Sequence, residues 1–274
     1  MQVASNTAAD RLKTAGPSAR LMWITPDRIF YAGLLGAPGV RTMGSLMIYV
    51  ATEGSIRIAV GGGEWETGEM AIVHPYQPHQ LLSEAMMINL IKIEAETMEI
   101  PSLPPLLARS GIVDAPQFVE RVRRRQRELC ELGSLDDLNS LDFDRFFFDR
   151  PLVPKVLDRR IQEIVEMIKR HPSAPSSAEE CAEAAHLSFS RFLHLFKQEV
   201  GVSFRTFRKW KRARSVLRHV NEKANLAHVA LDNGYPDSTH FSHCIKQVYG
   251  LRPKEIFAGS RRLVVYATSG SARG

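Results

Sequence analysis

The sequence predicts an α+β protein of two domains: an antiparallel β-barrel followed by helices, and then an all-α domain. Its 274 residues suit about two domains, since one domain takes roughly 100–200 residues. Short runs of β-branched and aromatic residues, separated by Gly-rich turns, fill residues 19–100, and helical periodicity follows them. The charge is divided as well: residues 155–274 hold 21 Lys and Arg against 11 Asp and Glu, whereas residues 1–154 hold 15 against 19.

The basic C-terminal half is typical of a nucleic-acid-binding domain, because clustered Lys and Arg neutralise phosphates. A basic surface that is merely solvated explains the charge equally well, so the choice between the two interpretations depends on sequence motifs. The composition, 44% hydrophobic and 24% charged, excludes collagen-like and largely disordered chains. No apolar run approaches the ~20 residues of a membrane helix, and three scattered cysteines suit a reducing compartment. We therefore expect a cytoplasmic protein that does not enter a membrane.

The first strands are predicted by alternating residues. Ile56, Ile58 and Val60 alternate with smaller or polar neighbours, which indicates a strand buried on one face. Similar short runs and turns continue to about residue 100, so residues 19–100 are predicted to form the barrel. The polar residues 1–18 are expected to be a flexible arm.

Helices are predicted from residue 101 to residue 150. An Arg-rich segment carries apolar residues at helical intervals, which gives the helix one apolar face. These residues are Phe118, Val122, Leu129 and Leu132. The helix is expected to pair with its twin in a homodimer, and the equally open alternative is that it lies on its own sheet. The domain boundary is placed near Pro151, where the chain turns acidic, then aromatic, then Pro-rich.

Residues 151–258 are predicted to hold the same short motif twice, about 50 residues apart. In each copy a short helix is followed by a tight turn and a longer helix that ends at a glycine, Gly201 or Gly250. A long basic helix, residues 203–221, is expected to join the copies. Two such units on one rigid helix can enter successive major-groove segments of DNA. Residues 259–274 are expected to be a C-terminal tail.

The residues of this domain resemble the double helix-turn-helix domain of AraC/XylS-type transcriptional regulators. The matching elements are Ala182, Ser188, Phe196, Lys197 and Gly201, then the runs 209–217, 230–235, 238–242 and 250–253. In that family the second helix of each unit enters the major groove. The resemblance implies double-stranded promoter DNA and RNA polymerase as partners, and activation more often than repression.

Carried over position by position, the resemblance places DNA-binding residues on the outward face of each second helix. In the first unit they are Ser190, Arg191, Leu193, His194 and Lys197, and in the second they are Ser238, Thr239, His240, His243 and Lys246. His194 and His243 stand where the family commonly has Arg, the usual bidentate reader of guanine. We expect these two positions to read bases differently. His186 replaces the glycine that is usual in the turn.

Residues 68–79 resemble the Gly, strand, Pro and His signature of the cupin-like sensing domain found in front of many such regulators. The resemblance implies a small-molecule effector, with Arg41, Tyr49, His74, Tyr76 and His79 as candidate contacts. For His79 the alternative is a hydrogen-bonded structural histidine, which is slightly favoured. A catalytic metal cupin normally adds a His-x-His pair on an earlier strand, and no His precedes His74. We therefore expect no metal, no cofactor and no enzymatic activity.

The sequence thus predicts a transcriptional regulator controlled by an effector. Two alternatives stay open: a ligand-independent dimeric regulator whose barrel only assembles, and a metal-dependent cupin enzyme fused to a DNA-binding module. A deep barrel cavity would speak against the first alternative, and a core filled by methionines would support it; the methionines concerned are Met43, Met47, Met70, Met86 and Met87. The identity of the effector and of the operator is not encoded in any motif.

Overall fold

The computed structural model describes residues 20–132, 138–174, 176–222 and 225–267. A β-rich N-terminal domain precedes a helical C-terminal domain, so the predicted fold class is confirmed. The predicted arm, residues 1–18, lies outside the described residues.

The strands form two sheets that do not close into one barrel, which corrects the prediction. One sheet has seven strands in the order β10-β1-β2-β8-β3-β6-β9, and the other has three in the order β5-β4-β7. The bounds are Leu21–Ile24 (β1), Arg28–Leu34 (β2), Ser45–Ala51 (β3), Ile56–Val60 (β4), Glu66–Gly68 (β5), Met70–Val73 (β6), His79–Ser83 (β7), Met87–Glu94 (β8), Gly111–Ile112 (β9) and Val264–Ala267 (β10). β10 and β9 are the edge strands of the larger sheet. The smaller sheet is not hydrogen-bonded to either edge, and residues of both sheets share one core.

The C-terminal residues contribute a strand that the sequence reading missed. A tail was expected from residue 259, but Val264–Ala267 pairs in parallel with Leu21–Ile24. The run from Leu263 to Ala267 is β-branched and aromatic, a signal that was available. The strand returns the end of the helical domain to the edge of the N-terminal sheet.

Two helices cover the outer face of the seven-stranded sheet, α1 (Pro116–Glu131) and α2 (Phe143–Phe148). Phe118, Val122 and Leu129 are buried there against the chain's own sheet, and Leu132 packs on the same core. The helix therefore lies on its own sheet, which was the alternative to pairing with a second copy of the chain. The apolar face is already covered, so it is not available to a second protomer.

The helical domain comprises seven α-helices among the described residues: α3 (Arg159–Arg170), α4 (Ala178–Ala184), α5 (Phe189–Val200), α6 (Phe204–Ser215), α7 (Leu226–Asp232), α8 (Ser238–Tyr249) and α9 (Pro253–Gly259). The joining helix was predicted to reach residue 221. Instead α6 ends at Ser215 and continues as a 3₁₀ turn, Val216–His219. At this point the Ser215 hydroxyl hydrogen-bonds the carbonyl of Arg212 and the side chain of Asn233, which ties the helix end to the second unit.

The two helix-turn-helix units are packed differently. The first, α3 to α5, has a core of its own around Phe192, Phe196 and Phe207. The second, α7 to α9, shares a continuous core with the inner face of the two sheets, in which Trp210 and Tyr249 meet strand residues.

Candidate nucleic-acid interface and ligand cavity

The turns of the two units have the same backbone geometry. In the first, the amide of Leu187 donates to the carbonyl of Ala182 at 2.9 Å, and in the second the amide of Tyr235 donates to Ala230 at 2.9 Å. The residue before each donor is in the left-handed region, His186 at φ 54° and Gly234 at φ 72°. A residue with a Cβ has a higher conformational energy there than glycine, so the backbone of the first turn is the more strained of the two.

The helix ends are fixed by caps. Ser177 begins α4 with a reciprocal capping box to Glu180, and Asp237 begins α8 by accepting from the amide of His240 at 2.7 Å. Gly201 and Gly250 close the two longer helices with left-handed backbone. Side-chain caps therefore fix the start of α4 and of α8, and a glycine ends both α5 and α8.

The predicted DNA-binding residues other than Leu193 are exposed; Leu193 packs on the margin of the first unit's core. In α5 the exposed residues are Ser190, Arg191, His194 and Lys197, with Leu193 half-buried; in α8 they are Ser238, Thr239, His240, His243 and Lys246. The opposite faces are buried, through Phe192 and Phe196 in α5 and Phe241 and Ile245 in α8. The arrangement offers two polar, cationic helix faces from one domain. Contact of these side chains with DNA stays a prediction.

A buried ion cluster joins the helix between the units to the N-terminal sheet. The carboxylate of Glu94, at the end of β8, accepts from Trp210 Nε1 at 2.7 Å, from Arg214 Nε at 2.8 Å and from Lys211 Nζ. Lys211 also donates to the carboxylate of Glu96. All five side chains are nearly inaccessible. No sequence motif marks this cluster, since its two glutamates lie more than 100 positions from the three residues of α6.

Charge dictates the ionisation of this cluster. Burial acts to raise the pKa of Glu94, but the attraction of Lys211 and Arg214 outweighs it and lowers the pKa to about 2. Glu96 keeps a raised pKa, because burial and the charge of Glu94 exceed the attraction of Lys211. Burial lowers the pKa of nearby Lys92 to about 7, with the charge of Glu94 opposing that shift. The interface between the domains is therefore strongly charged and closed to water.

A loop of the N-terminal domain also contacts α8, the longer helix of the second unit. The amide of Thr42 donates to the carbonyl of Val248, the penultimate residue of α8, at 3.0 Å. Gly39 meets Gly250 so closely that a Cβ at Gly39 would lie 2.1 Å from the Gly250 carbonyl oxygen. The lack of a side chain at residue 39 is thus what permits the contact.

The five candidate effector contacts do not share one pocket, which corrects the prediction. Tyr49 and His79 are buried with their side chains hydrogen-bonded at 2.7 Å, and Arg41, also buried, pairs with His79 through the backbone. His74 instead hydrogen-bonds the carbonyl of Leu107 at 2.9 Å. Tyr76 faces the helical domain, where its hydroxyl lies beside Gly44 and Trp210. Arg41, Tyr49 and His79 are thus engaged with one another inside the N-terminal domain, and His74 and Tyr76 lie apart from them.

Both ring nitrogens of His79, the histidine of the buried pair, are hydrogen-bonded. His79 Nε2 meets the Tyr49 hydroxyl, and Nδ1 meets the carbonyl of Gln77 at 3.0 Å. Burial lowers the pKa of His79 to about 4, with Arg41 and Lys92 contributing to the shift and the Gln77 hydrogen bond opposing it. A neutral ring with both nitrogens engaged has none left for a metal. Within the described residues, no three His, Cys, Asp or Glu side chains cluster as metal ligands do.

A cavity of about 450 Å³ lies where the two domains meet. It is lined by Val40, Thr42 and Tyr76 from the N-terminal domain, and by Lys209, Trp210 and Gln247 from α6 and α8. Lys209 donates to Gln247 across it. The cavity thus combines apolar walls with one ammonium group and touches both domains. Sequence reasoning found Tyr76 but missed the other lining residues, which come together only through the domain contact.

The described ranges contain no helix that is long and apolar enough to cross a membrane.

Comparison with known proteins identifies relatives of the helical domain. A family model described as a helix-turn-helix domain matches residues 181–259. The arabinose operon regulatory protein of Escherichia coli (strain K12) is 32% identical over 111 residues, which are 39% of this chain and 38% of that protein. The HTH-type transcriptional activator RhaS of Escherichia fergusonii is 29% identical over 105 residues, 37% of each chain. The aligned part is therefore well under half the length of these relatives.

Solved structures of ToxT from Vibrio cholerae share the two-domain fold. One from strain O395 has a TM-score of 0.56 at 10% identity, covering 84% of this chain and 96% of that one. Another, of ToxT with a bound unsaturated fatty acid, has a TM-score of 0.50 at 11% identity, covering 85% and 95%. At these identities the likeness concerns the fold.

Proposed function

Because residues 181–259 form a helix-turn-helix domain of the AraC type, we propose that the chain is a sequence-specific, DNA-binding transcriptional regulator. The observation that carries the proposal is the duplicated unit, in which two turns of equal geometry hold α5 and α8 with polar, cationic faces outward. Ser, Thr and His on these faces can bond base edges, and Lys contacts phosphates. Promoter DNA is the partner, RNA polymerase is the target of activation, and the site of action is the cytoplasm.

The test is binding of the full chain to the DNA upstream of its own and neighbouring genes, measured against scrambled DNA across a salt series. Selective binding that weakens steeply with salt supports the proposal, because released counterions signal phosphate contacts. Equal, weak binding to both DNAs at every salt concentration contradicts it. His194→Ala and His243→Ala should each weaken selective binding if these rings read bases.

We also propose that the cavity between the domains binds the effector. It touches Trp210 and Lys209 on α6 and Gln247 on α8, so an occupant contacts the linker helix and the second recognition helix at once. The apolar walls and the ammonium group of Lys209 suit an apolar carboxylic acid. ToxT, which has this fold, has been solved with an unsaturated fatty acid and with (E)-4-(8-methylnaphthalen-1-yl)but-3-enoic acid.

Thermal unfolding with oleic acid, and with oleyl alcohol as its uncharged counterpart, tests the effector proposal. We expect the acid to raise the Tm and the alcohol to have little effect, because only the acid pairs with Lys209. Lys209→Met should abolish the rise, whereas Lys254→Met, at an exposed lysine of α9, should retain it. An equal shift with acid and alcohol, or a shift that survives Lys209→Met, contradicts the site.

A ligand-independent regulator is the second candidate, and one observation favours it. Met43 and Met47 are buried in the core between the sheets, where they occupy part of the interior that an effector would need. Met70 lies on the other face of the sheet and Met86 is exposed. In this alternative the protein regulates as a homodimer through a surface other than the covered face of α1. It predicts selective DNA binding that no apolar acid alters.

A further inference from the structure

The recognition helix of the first unit carries an exposed apolar patch, formed by Phe189 and Leu193. Phe189 is the first residue of α5 and is 45% exposed, which is unusual for a phenylalanine. Leu193 follows one helical turn later and is half-buried. Leu193 also packs on the margin of the first unit's core, whereas Phe189 is exposed at the N-terminal end of the helix, next to Ser190.

Packing of the domain does not account for the exposed ring. At the start of a helix, the residue before the N-cap commonly packs on the fourth helical residue and fixes the entry of the chain. Here the N-cap is Ser188, so those positions are Leu187 and Phe192. Both belong to the core of the first unit, Leu187 at its margin and Phe192 at its centre. Phe189 lies outside that core.

The second unit differs at the same positions. Aligning the N-caps Ser188 and Asp237 pairs Phe189 with Ser238 and Leu193 with Ser242. Both serines are polar, while Lys197 and Lys246 are equivalent and His194 matches His243. The two recognition helices therefore carry the same cationic and imidazole groups but differ in one patch, apolar in the first and hydroxylic in the second.

We propose that Phe189, supported by Leu193, reads thymine methyl groups in the major groove, so that the first unit selects thymine by apolar contact. The inference rests on the proposed function. Thymine alone presents a methyl group in the groove, and apolar side chains are its usual partners. A hydroxyl pair in the second unit selects bases by hydrogen bonds instead. The two half-sites should accordingly differ in thymine content.

The experiment begins with selection of binding sites by the full-length wild-type chain from randomised duplexes. Each thymine of the selected site is then replaced by deoxyuridine, which removes the methyl and keeps the base pair. Affinities of wild type and Phe189→Ala are measured for every such duplex, which gives a double-mutant cycle between methyl and ring. Leu231→Ala is the matched control, because Leu231 is 58% exposed on α7, outside the recognition face.

For wild type and Leu231→Ala we expect about fourfold weaker binding at one or two thymines of one half-site, the effect of burying one methyl-sized group. Phe189→Ala should bind the parent site more weakly and should no longer distinguish thymine from deoxyuridine at those positions. Thermal unfolding should be unchanged by Phe189→Ala, which separates loss of reading from loss of fold.

Two results overturn the inference while leaving the regulator intact: wild type that binds thymine and deoxyuridine duplexes equally, or a methyl effect that persists in full in Phe189→Ala. A selection that enriches no sequence overturns the DNA-reading function itself, and the inference with it. The outcomes are therefore distinguishable within one series of measurements.

Discussion

The two helix-turn-helix units share a backbone but differ in what holds them to the rest of the protein. The first unit, around Phe192 and Phe196, has its own core. An ion pair between Lys169 and Asp27, at 2.6 Å and with Asp27 partly exposed, links it to the N-terminal domain. The second unit continues the core of the sheets and is framed by the Glu94 cluster on one side and by β10 on the other.

This difference indicates which unit can change its position relative to the N-terminal domain. The second unit cannot turn relative to the sheets without breaking a buried ion cluster and a strand pairing. The first unit is limited by α6, by the close approach of Gly234 to Ser173 and by an ion pair near the surface. A ligand in the cavity contacts the second unit through Gln247 and the joining helix through Lys209. On the proposed function, an effector in the cavity would act through a different affinity for two placements of the first unit.

The largest predicted effect comes from neutralising the centre of the buried cluster. Glu94→Gln leaves Lys211 and Arg214 buried without their shared carboxylate, a change that costs roughly 3–5 kcal/mol in buried ion pairs. The free energy of unfolding, from urea denaturation followed by circular dichroism, should fall by that amount. The matched change at the first unit, Asp27→Asn, should cost about 1 kcal/mol or less, because an ion pair near the surface contributes little. Equal losses in the two variants would erase the distinction between the units.

A second prediction concerns the turn of the second unit. Gly234→Ala places a Cβ 2.5 Å from the backbone oxygen of Ser173, at a residue with φ 72°. Crowding against backbone and a left-handed alanine together should cost about 3 kcal/mol. Amide hydrogen exchange should show lost protection in α7 and α8, with α5 retaining its own. Uniform loss across both units would mean that they unfold together.

How far the sequence predicts this molecule differs between the two units and the N-terminal domain. The turns, caps and outward residues of both units follow from local signals, namely Ser177, Asp237, Gly201 and Gly250, because helix ends depend on nearby residues. The Glu94 cluster and the cavity depend on pairs far apart in the chain, and no periodicity encodes them. Predicting the strand Val264–Ala267 would have required knowing that the edge of β1 is available for pairing, which is a property of the folded sheet. The apolar stripe of α1 was seen, but amphipathicity alone does not say which surface covers it.

The pH dependence of stability should separate the units as well. The pKa of His79 is about 4 in the folded protein against an ordinary 6.5, so the unfolded chain binds the proton first. This contribution to stability is present above pH 6.5 and is lost as the pH falls toward 4; between pH 7 and pH 5 the loss is about 2 kcal/mol. Urea denaturation at the two pH values checks it. His79→Gln should lose about 2 kcal/mol less across the same interval.

That measurement also sharpens the comparison. At pH 5 the carboxylate of Glu94, with a pKa of about 2, stays ionised in the folded protein. Glu96, with a raised pKa, and Lys92, with a pKa of about 7, contribute in both proteins, so the difference between wild type and His79→Gln reports His79. Because His79 lies in the core that the second unit shares, exchange protection in α8 should decline with acidification before protection in α5 does. Loss that begins in α5 would contradict the assignment of separate cores.

The smallest predicted effect has the opposite sign. His186 holds the left-handed position of the first turn, φ 54°, where the second turn has Gly234. His186→Gly relieves the strain of a side chain in that region, and the gain exceeds the entropy that glycine adds to the unfolded chain, so stability should rise by about 1 kcal/mol. The rise should appear as slower exchange in α4 and α5, with no change in α8. A loss of stability would mean that the His186 side chain makes a contribution that its exposed position does not suggest, and the first turn would then be the more specialised of the two rather than the more strained.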